Sequence, residues 1–219
     1  MNTEQTTNLM PLHLFPTTIY TIEKPEFLTT VRKVSNEYLE IGKKHHKIDD
    51  VYPVIMGPNM SNDNRILDFV KFISDSGFSI LDQQGYDMNL YGTFVSELWV
   101  QDHHKSSGME QHTHFFGVSL SGFYFLDVPD EACMIQLHDP RPGKVQSTLP
   151  EKDFRRTTEA SNSIMIKPVA GLAVFSNSWL PHSFTRNSSK KSCKFIHFNV
   201  SVAPVQSIPK KCENGPVVI

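Results

Sequence analysis

The sequence has only three cysteines in 219 residues, Cys133, Cys193 and Cys212. The number is odd and no CxxC pair occurs, which argues against a disulfide framework and against a structural zinc site. A reducing compartment is therefore expected. No run of apolar residues approaches membrane-spanning length, and no basic stretch followed by an apolar one opens the chain. These absences predict a cytoplasmic protein that does not enter a membrane.

A strong excess of either charge is also absent, because the formal net charge is −2 with histidine neutral. A nucleic-acid partner is therefore not expected. The sequence contains no nucleophile elbow and no phosphate-binding loop, which argues against a serine hydrolase and a P-loop nucleotidase. The chemistry has to come from other residues.

Two helices are predicted near the start of the chain. One begins at Lys24-Pro25 and runs to about Gly42, because proline suits a first helical turn and apolar residues recur at helical spacing. The second lies between Ser61 and Gly77, with Gly77 as its terminator. A strand is predicted over 12–22, and both helices are expected to pack on one face of a sheet.

From Leu90 onward the apolar runs are short, rich in β-formers and bounded by Gly, Pro, Asn or Asp. This pattern is typical of a sandwich or barrel, and it predicts strands at 90–100, 114–128, 133–138, 163–167, 171–176, 182–186 and 193–202. The predicted fold is mainly β with flanking helices around a jelly-roll core. One domain over 1–219 is expected: a strand and helices (1–88), the core (89–203) and an irregular tail (204–219), with residues 143–161 as a loop over one mouth.

The main chemical signal is the pair His112-Thr113-His114 at the head of a β-branched and aromatic run. If this segment is extended, both imidazoles point to the same side of a sheet. His182 lies 68 residues after His114, behind another strand-like run. Two close ligands and one distant histidine are typical of a mononuclear non-haem iron site with open positions. The adjacent pairs His45-His46 and His103-His104 are interpreted as loop or strand residues rather than ligands.

Several further blocks accompany these histidines in order, and together they cover nearly the whole chain: Leu14-Phe-Pro-Thr-Thr18, Leu120-Ser-Gly-Phe-Tyr-Phe-Leu126, His138-Asp-Pro-Arg-Pro142, Trp179-Leu-Pro-His182 and Phe198-Asn199. With His112-Thr-His114, this series resembles the 2-oxoglutarate/Fe(II) oxygenases found in marine bacteria and in cyanobacterial viruses. The resemblance implies a double-stranded β-helix that binds Fe(II) and 2-oxoglutarate.

The resemblance also implies the ligands His112, His114 and His182. The wider superfamily usually has Asp or Glu where this chain has His114. Three histidines would leave the iron more positive by one charge, and Glu110 and Asp102 stay open as substitute carboxylates.

An arginine normally opens the last strand in this family and binds the distal carboxylate of 2-oxoglutarate. Counting back from Asn199 in steps of two places Cys193 at that position, and a thiol does not replace the cation. Arg186, Lys191 and Lys194 are the alternatives, with Tyr124 as a phenolic donor and Asn199 on the same face. Trp179 and Arg141 are predicted to contact the substrate, and Phe115, Phe116 and Trp99 are further cavity candidates.

The expected reaction is hydroxylation of an unidentified substrate with O₂, coupled to conversion of 2-oxoglutarate to succinate and CO₂. A peptidyl side chain and a small molecule both stay open as substrates, and so does a homodimer. The alternatives are a three-histidine, cupin-like oxygenase that does not use 2-oxoglutarate, and a non-catalytic binding protein on the same fold. If the chain is viral, the expected cytoplasm is that of an infected bacterial host.

Overall fold

The computed structural model describes residues 10–48, 51–114, 116–144 and 149–205. Phe115, Cys212 and nearly all of the predicted C-terminal tail lie outside these residues. Within the described ranges, no helix has the length and apolar character needed to cross a membrane.

Two helices precede most of the strands. Helix α1 spans Leu28–His45 after a short 3₁₀ turn at Pro25–Phe27, and α2 spans Leu67–Gln83. Gly77 therefore lies inside α2, and its prediction as a terminator was wrong. A Cβ at Gly77 would lie 2.9 Å from the Val200 side chain, so this glycine allows the helix to approach the sheet closely.

Within the described ranges, ten strands form two antiparallel sheets. The six-stranded sheet has the order β1-β8-β5-β10-β3-β2, and the four-stranded sheet has the order β4-β9-β6-β7. Their bounds are β1 Tyr20–Glu23, β2 Val54–Met56, β3 Tyr91–His103, β4 Met109–His112, β5 Val118–Asp127, β6 Ile135–His138, β7 Ser163–Ile166, β8 Leu172–Asn177, β9 His182–Phe184 and β10 Cys193–Pro204. The mainly β fold with flanking helices, predicted from the sequence, is confirmed.

Two predicted strands begin at least four residues later than expected. The predicted strand over 12–22 is ordered as β1 only from Tyr20, and the predicted strand over 114–128 begins at Val118. A turn separates β4 from β5, because Phe116 and Gly117 have positive φ angles of 59° and 88°. Positive φ interrupts an extended strand, so His112 and His114 do not share one strand.

The six-stranded sheet has a different environment on each face. Along β10, Ile196, Phe198 and Val200 pack toward the two helices, whereas Cys193 and Phe195 belong to a second apolar cluster. Successive strand residues point to opposite faces, so this alternation separates a helix side from the interior between the two sheets.

Aromatic rings fill much of the interior between the sheets. Phe184 and Phe195 stack with centroids 4.6 Å apart, and Phe123 packs edge-on against both. His103 joins them, with its centroid 4.8 Å from that of Phe195. No lysine or arginine among the described residues is buried. The interior is therefore apolar and aromatic, with His103 as a buried polar member.

The stability of this interior is expected to depend on pH through His103. Burial, and then the nearby His104, lower the pKa of His103 from 6.5 to about 3. Between these values the unfolded chain binds a proton that the folded chain does not. The contribution of neutral His103 is complete above pH 6.5 and is lost as the pH falls toward the folded pKa, by ~1.4 kcal/mol per pH unit.

Urea unfolding at several pH values near 5 and 6 tests this expectation. His103→Phe suits the aromatic surroundings. This variant should take up about one proton fewer on unfolding, so the slope of its unfolding free energy against pH should be smaller. His46→Gln alters an exposed histidine and should leave the dependence unchanged. Equal slopes in wild type and His103→Phe would contradict the prediction.

Candidate metal centre and its two cavities

Two of the predicted ligands lie directly opposite each other on neighbouring strands. β4 pairs with β9 antiparallel, and His112 is the Cα partner of His182. The two ring centroids are 4.4 Å apart. Directly opposed residues on one sheet face are close enough for their side chains to interact, so the strand pairing itself brings the imidazoles together.

Both rings are held by backbone carbonyl groups of their own segments. His112 Nδ1 lies 2.8 Å from the Glu110 carbonyl oxygen, and His182 Nδ1 lies 3.0 Å from that of Leu180. A carbonyl oxygen only accepts, so each Nδ1 carries the proton and each Nε2 has a free lone pair. His182 Nε2 is buried and has no hydrogen-bond partner among the described residues. An orphaned imidazole lone pair of this kind suits a metal ion.

His114 completes the cluster from the turn after β4. Its backbone N–H donates to the Ser178 carbonyl oxygen at 2.8 Å, which ties the turn to the segment between β8 and β9. Its ring centroid is 5.2 Å from those of both His112 and His182. The ligand atoms of the three histidines all lie within 4.8 Å of one another. Three imidazoles at this separation can hold one ion.

Burial keeps the imidazoles of His114 and His182 neutral. It is the largest cause that lowers the pKa of His182 and of His114 to about 4 each. The nearby histidines lower both values further, whereas the Glu97 carboxylate opposes the shift at His114. Neutral imidazole is the form that binds a metal, so neither His114 nor His182 needs to lose a proton near pH 7.

A fourth histidine, His197, lies behind His114. The two Nε2 atoms are 3.2 Å apart, and the His197 ring stacks on Trp99 with centroids 4.2 Å apart. Burial lowers the pKa of His197 well below its usual value. The sequence reasoning assigned His197 no role, although the step of two from Asn199 places it on the interior face. Trp99, a predicted cavity residue, contacts the cluster through His197.

Of the other predicted residues for co-substrate binding, Asn199 faces the site and two do not. Asn199 is on the same face as His197, and its side-chain N–H donates to Glu97 Oε2 at 2.6 Å. Tyr124 packs on the helix side, where its hydroxyl donates to the Lys24 carbonyl oxygen at 2.7 Å. Lys194 also faces the helices, with Nζ 3.6 Å from Asp127 Oδ2.

Arg186 shares a cavity with His112. This space of about 680 Å³, the Arg186 cavity, lies between residues 51–53 and 108–112 and is closed by Phe184 and Arg186. The Arg186 guanidinium donates to the Ser106 carbonyl oxygen at 2.9 Å, and its stem would lie 3.3 Å from a Cβ at Gly108. The missing side chain at Gly108 therefore leaves room for the arginine beside β4.

A second cavity lies beside His114. This space of about 500 Å³, the Glu97 cavity, is lined by Ser96, Glu97, Thr113, His114, Phe116, Val118, Asn199 and Ser201. None of these lining residues also lines the Arg186 cavity. The first of these two cavities therefore has both a guanidinium and a carboxylate, on Arg186 and Glu110, whereas the second has a carboxylate and no lysine or arginine.

The two predicted substrate residues lie elsewhere. Trp179 lines a cavity with Tyr86 and Met88, and Arg141 lines another one, where it pairs with Asp139 at 2.6 Å. Neither cavity includes any of the three clustered histidines. Glu110 and Asp102 are the carboxylates considered as metal ligands in place of His114. Glu110 lines the Arg186 cavity, and Asp102 Oδ2 lies 3.4 Å from His104 Nε2.

Comparison with known proteins agrees with this site. Residues 97–199, a little under half of the chain, match the family described as "Putative 2OG-Fe(II) oxygenase". This range contains all three clustered histidines. No protein among the curated sequences compared matches the chain.

Solved structures of several oxygenases share the fold. A prolyl-4-hydroxylase of Pseudomonas putida superimposes with a TM-score of 0.57 at 9% identity, over 84% of this chain and 93% of that chain. The non-haem α-ketoglutarate-dependent carbocyclase SnoK of nogalamycin biosynthesis gives 0.61 at 16% identity, over 93% and 92%. A viral collagen prolyl hydroxylase from Paramecium bursaria Chlorella virus 1 gives 0.53 at 10%, over 83% and 94%.

The histidine cluster predicts how iron binding responds to mutation. His182→Ala should abolish stoichiometric Fe(II) binding, because it removes the most buried of the three imidazoles and its free Nε2. Anaerobic loading followed by colorimetric iron determination measures this, and far-ultraviolet circular dichroism checks the fold. His46→Ala, in an exposed segment, is the matched control. A His182→Ala protein that keeps one equivalent of iron would contradict the assignment.

Proposed function

We propose that this protein, which is an Fe(II)- and 2-oxoglutarate-dependent oxygenase, hydroxylates a C–H bond of a small molecule or a peptidyl side chain. The observation that carries the proposal is the cluster of His112, His114 and His182, which borders two cavities, one that contains Arg186 and one that contains Glu97. One cavity suits an anionic co-substrate, and the other leaves room for a second molecule.

The three histidines are the proposed iron ligands. His112 and His182 offer Nε2 atoms whose rings are fixed by carbonyl groups, and His114 approaches from the turn. Iron and 2-oxoglutarate, when bound, supply an oxidation in which the co-substrate becomes succinate and CO₂ and one oxygen atom of O₂ enters the substrate. Because all three ligands are neutral, the protein adds no negative charge to the metal through them.

Arg186 is the proposed partner of the distal carboxylate of 2-oxoglutarate. It lies in the same cavity as His112, and a guanidinium can bind a carboxylate through two parallel hydrogen bonds. Cys193 has no exposed surface and belongs to the aromatic interior, and no buried lysine or arginine occurs among the described residues. The cation therefore has to reach the co-substrate from the edge of the sheets, where Arg186 lies.

The surrounding residues orient the ligands and exclude water. Phe123 packs edge-on against His182 with centroids 5.6 Å apart, and it contacts His197 in the same way at 4.9 Å. Ser121 Oγ lies 3.3 Å from His197 Nε2. A ligand ring packed on one side by an aromatic residue has few alternative orientations, and a dry wall limits side reactions with water.

The motif series and the cysteines bear on the origin and setting of the protein. The motif series supports a place among the marine bacterial and cyanobacterial virus members of the family. The buried free thiols of Cys133 and Cys193 support a reducing, cytoplasmic setting, that of the infected bacterium for a viral protein. We also propose a single domain over 1–219, with a homodimer as the assembly to be tested.

Anaerobic titration of the Fe(II) protein with 2-oxoglutarate tests the co-substrate site. A weak visible charge-transfer band should appear, because bidentate chelation of ferrous iron produces it. Arg186→Gln should raise the apparent dissociation constant about 10- to 100-fold, the effect of losing a charged hydrogen-bonded pair of ~1.5–3 kcal/mol. Arg155→Gln removes an exposed guanidinium paired with Asp153 and serves as the control.

Two results would contradict this part of the proposal. Equal dissociation constants for Arg186→Gln and Arg155→Gln would place the carboxylate partner elsewhere. Stoichiometric iron without any band in the wild-type protein would favour the three-histidine oxygenase that does not use 2-oxoglutarate.

A further inference from the structure

The Glu97 cavity has a lining of hydrogen-bond acceptors next to the proposed iron site. Glu97 is exposed, and one of its carboxylate oxygens, Oε2, accepts the Asn199 side-chain N–H at 2.6 Å. His114 lines the same cavity, and the Glu97 carboxylate is near enough to oppose the lowering of the pKa of His114. A molecule bound in this cavity therefore lies beside both the carboxylate and a proposed ligand.

Asn199 provides a second, independent indication that the Glu97 cavity binds a ligand. The residue is only 2% exposed, and its side-chain carbonyl oxygen has no hydrogen-bond partner among the described residues. The amide orientation is fixed chemically, because a carboxylate accepts and only the Asn199 N–H group can donate to it. A buried amide oxygen without a donor costs free energy of folding, so a bound donor would relieve this cost.

The charge of the lining selects the kind of donor. The residues around the cavity supply carboxylate, amide, hydroxyl and imidazole groups, and none is lysine or arginine. Two of the hydroxyls, those of Ser96 and Ser201, already bond to each other at 2.9 Å. The remaining acceptors, on Glu97 and Asn199, suit a group with at least two N–H donors and a positive charge.

We propose that the Glu97 cavity binds a cationic amino group, an ammonium or a guanidinium, of the prime substrate through Glu97 and Asn199. This inference rests on the proposed oxygenase function and names the substrate class of the same site. A volume of about 500 Å³ is within the range of small-molecule pockets. The anionic co-substrate would then have Arg186 as its partner in one cavity, and the cationic substrate would have Glu97 in the other.

Binding of a simple diamine tests the proposal without relying on catalysis. The full-length protein is loaded with Zn²⁺, kept free of 2-oxoglutarate, and titrated calorimetrically with 1,4-diaminobutane and with butane-1,4-diol as the neutral counterpart. The diamine is expected to bind about tenfold or more tightly than the diol. Glu97→Gln should abolish this preference, because it removes the charge and keeps the shape.

Glu40→Gln is the matched control, since it makes the same change on the exposed side of α1, outside both cavities. It should retain the preference for the diamine. Equal binding of diamine and diol to wild type, no detectable binding of the diamine, or the same loss in both variants would overturn the proposal. A loss of bound Zn²⁺ in Glu97→Gln with the preference unchanged would also overturn it, and would assign Glu97 to charge balance at the metal.

These outcomes are separable from failure of the proposed function. The titration uses no 2-oxoglutarate and no O₂, so a preference for the diamine can be found even if the charge-transfer band is absent. Conversely, a band with no such preference would leave the oxygenase assignment intact and remove only the cationic substrate class.

Discussion

The register between β4 and β9 is the constraint on which the site depends. It sets His112 opposite His182, and the backbone carbonyl groups of Glu110 and Leu180 then fix both rings with Nε2 free. Moving either strand by one residue would turn one imidazole to the other face of the sheet. His114 is attached to this arrangement by a backbone hydrogen bond to the segment just before β9. The cluster is thus a product of strand pairing more than of local sequence.

Holding these rings in place has a cost that the fold offsets elsewhere. Imidazoles removed from water lose hydration, and the lowered pKa values of His114 and His182 reflect it. Two apolar clusters supply the stability. One is made by the phenylalanine rings packed between the sheets, and the other lies between the helices and the six-stranded sheet. A site built for a metal is therefore surrounded by residues that stabilise the fold without it.

Much of this was predictable from strand periodicity. Counting in twos along β10 placed Asn199, His197, Phe195 and Cys193 on one face, and the structure has these residues facing the interior or the site. The same alternation carries Lys194 to the helix side. Tyr124 was assigned to the site although its neighbours Phe123 and Phe125 face the interior. The sequence shows that adjacent residues alternate, but which face becomes the interior is decided by packing of the helices.

Other features could not be read from the sequence because they depend on tertiary contacts. The turn that carries His114 requires positive φ at Phe116, a residue with no special preference for it. The roles proposed for Arg186 and Glu97 depend on their tertiary neighbours, since one lies beside β4 and the other lies on β3 opposite Asn199. No spacing rule connects residues on strands that are distant in sequence.

The separation of the two cavities has a consequence for kinetics. Many binding sites with a single mouth force an order on their ligands, because the first molecule to enter blocks the second. Here the cavity beside His112 and the cavity beside His114 share no lining residue. If 2-oxoglutarate and the substrate occupy these two cavities as proposed, neither has to pass the other, and random-order association is sterically allowed. Raising the concentration of one ligand would then not trap the other in the protein.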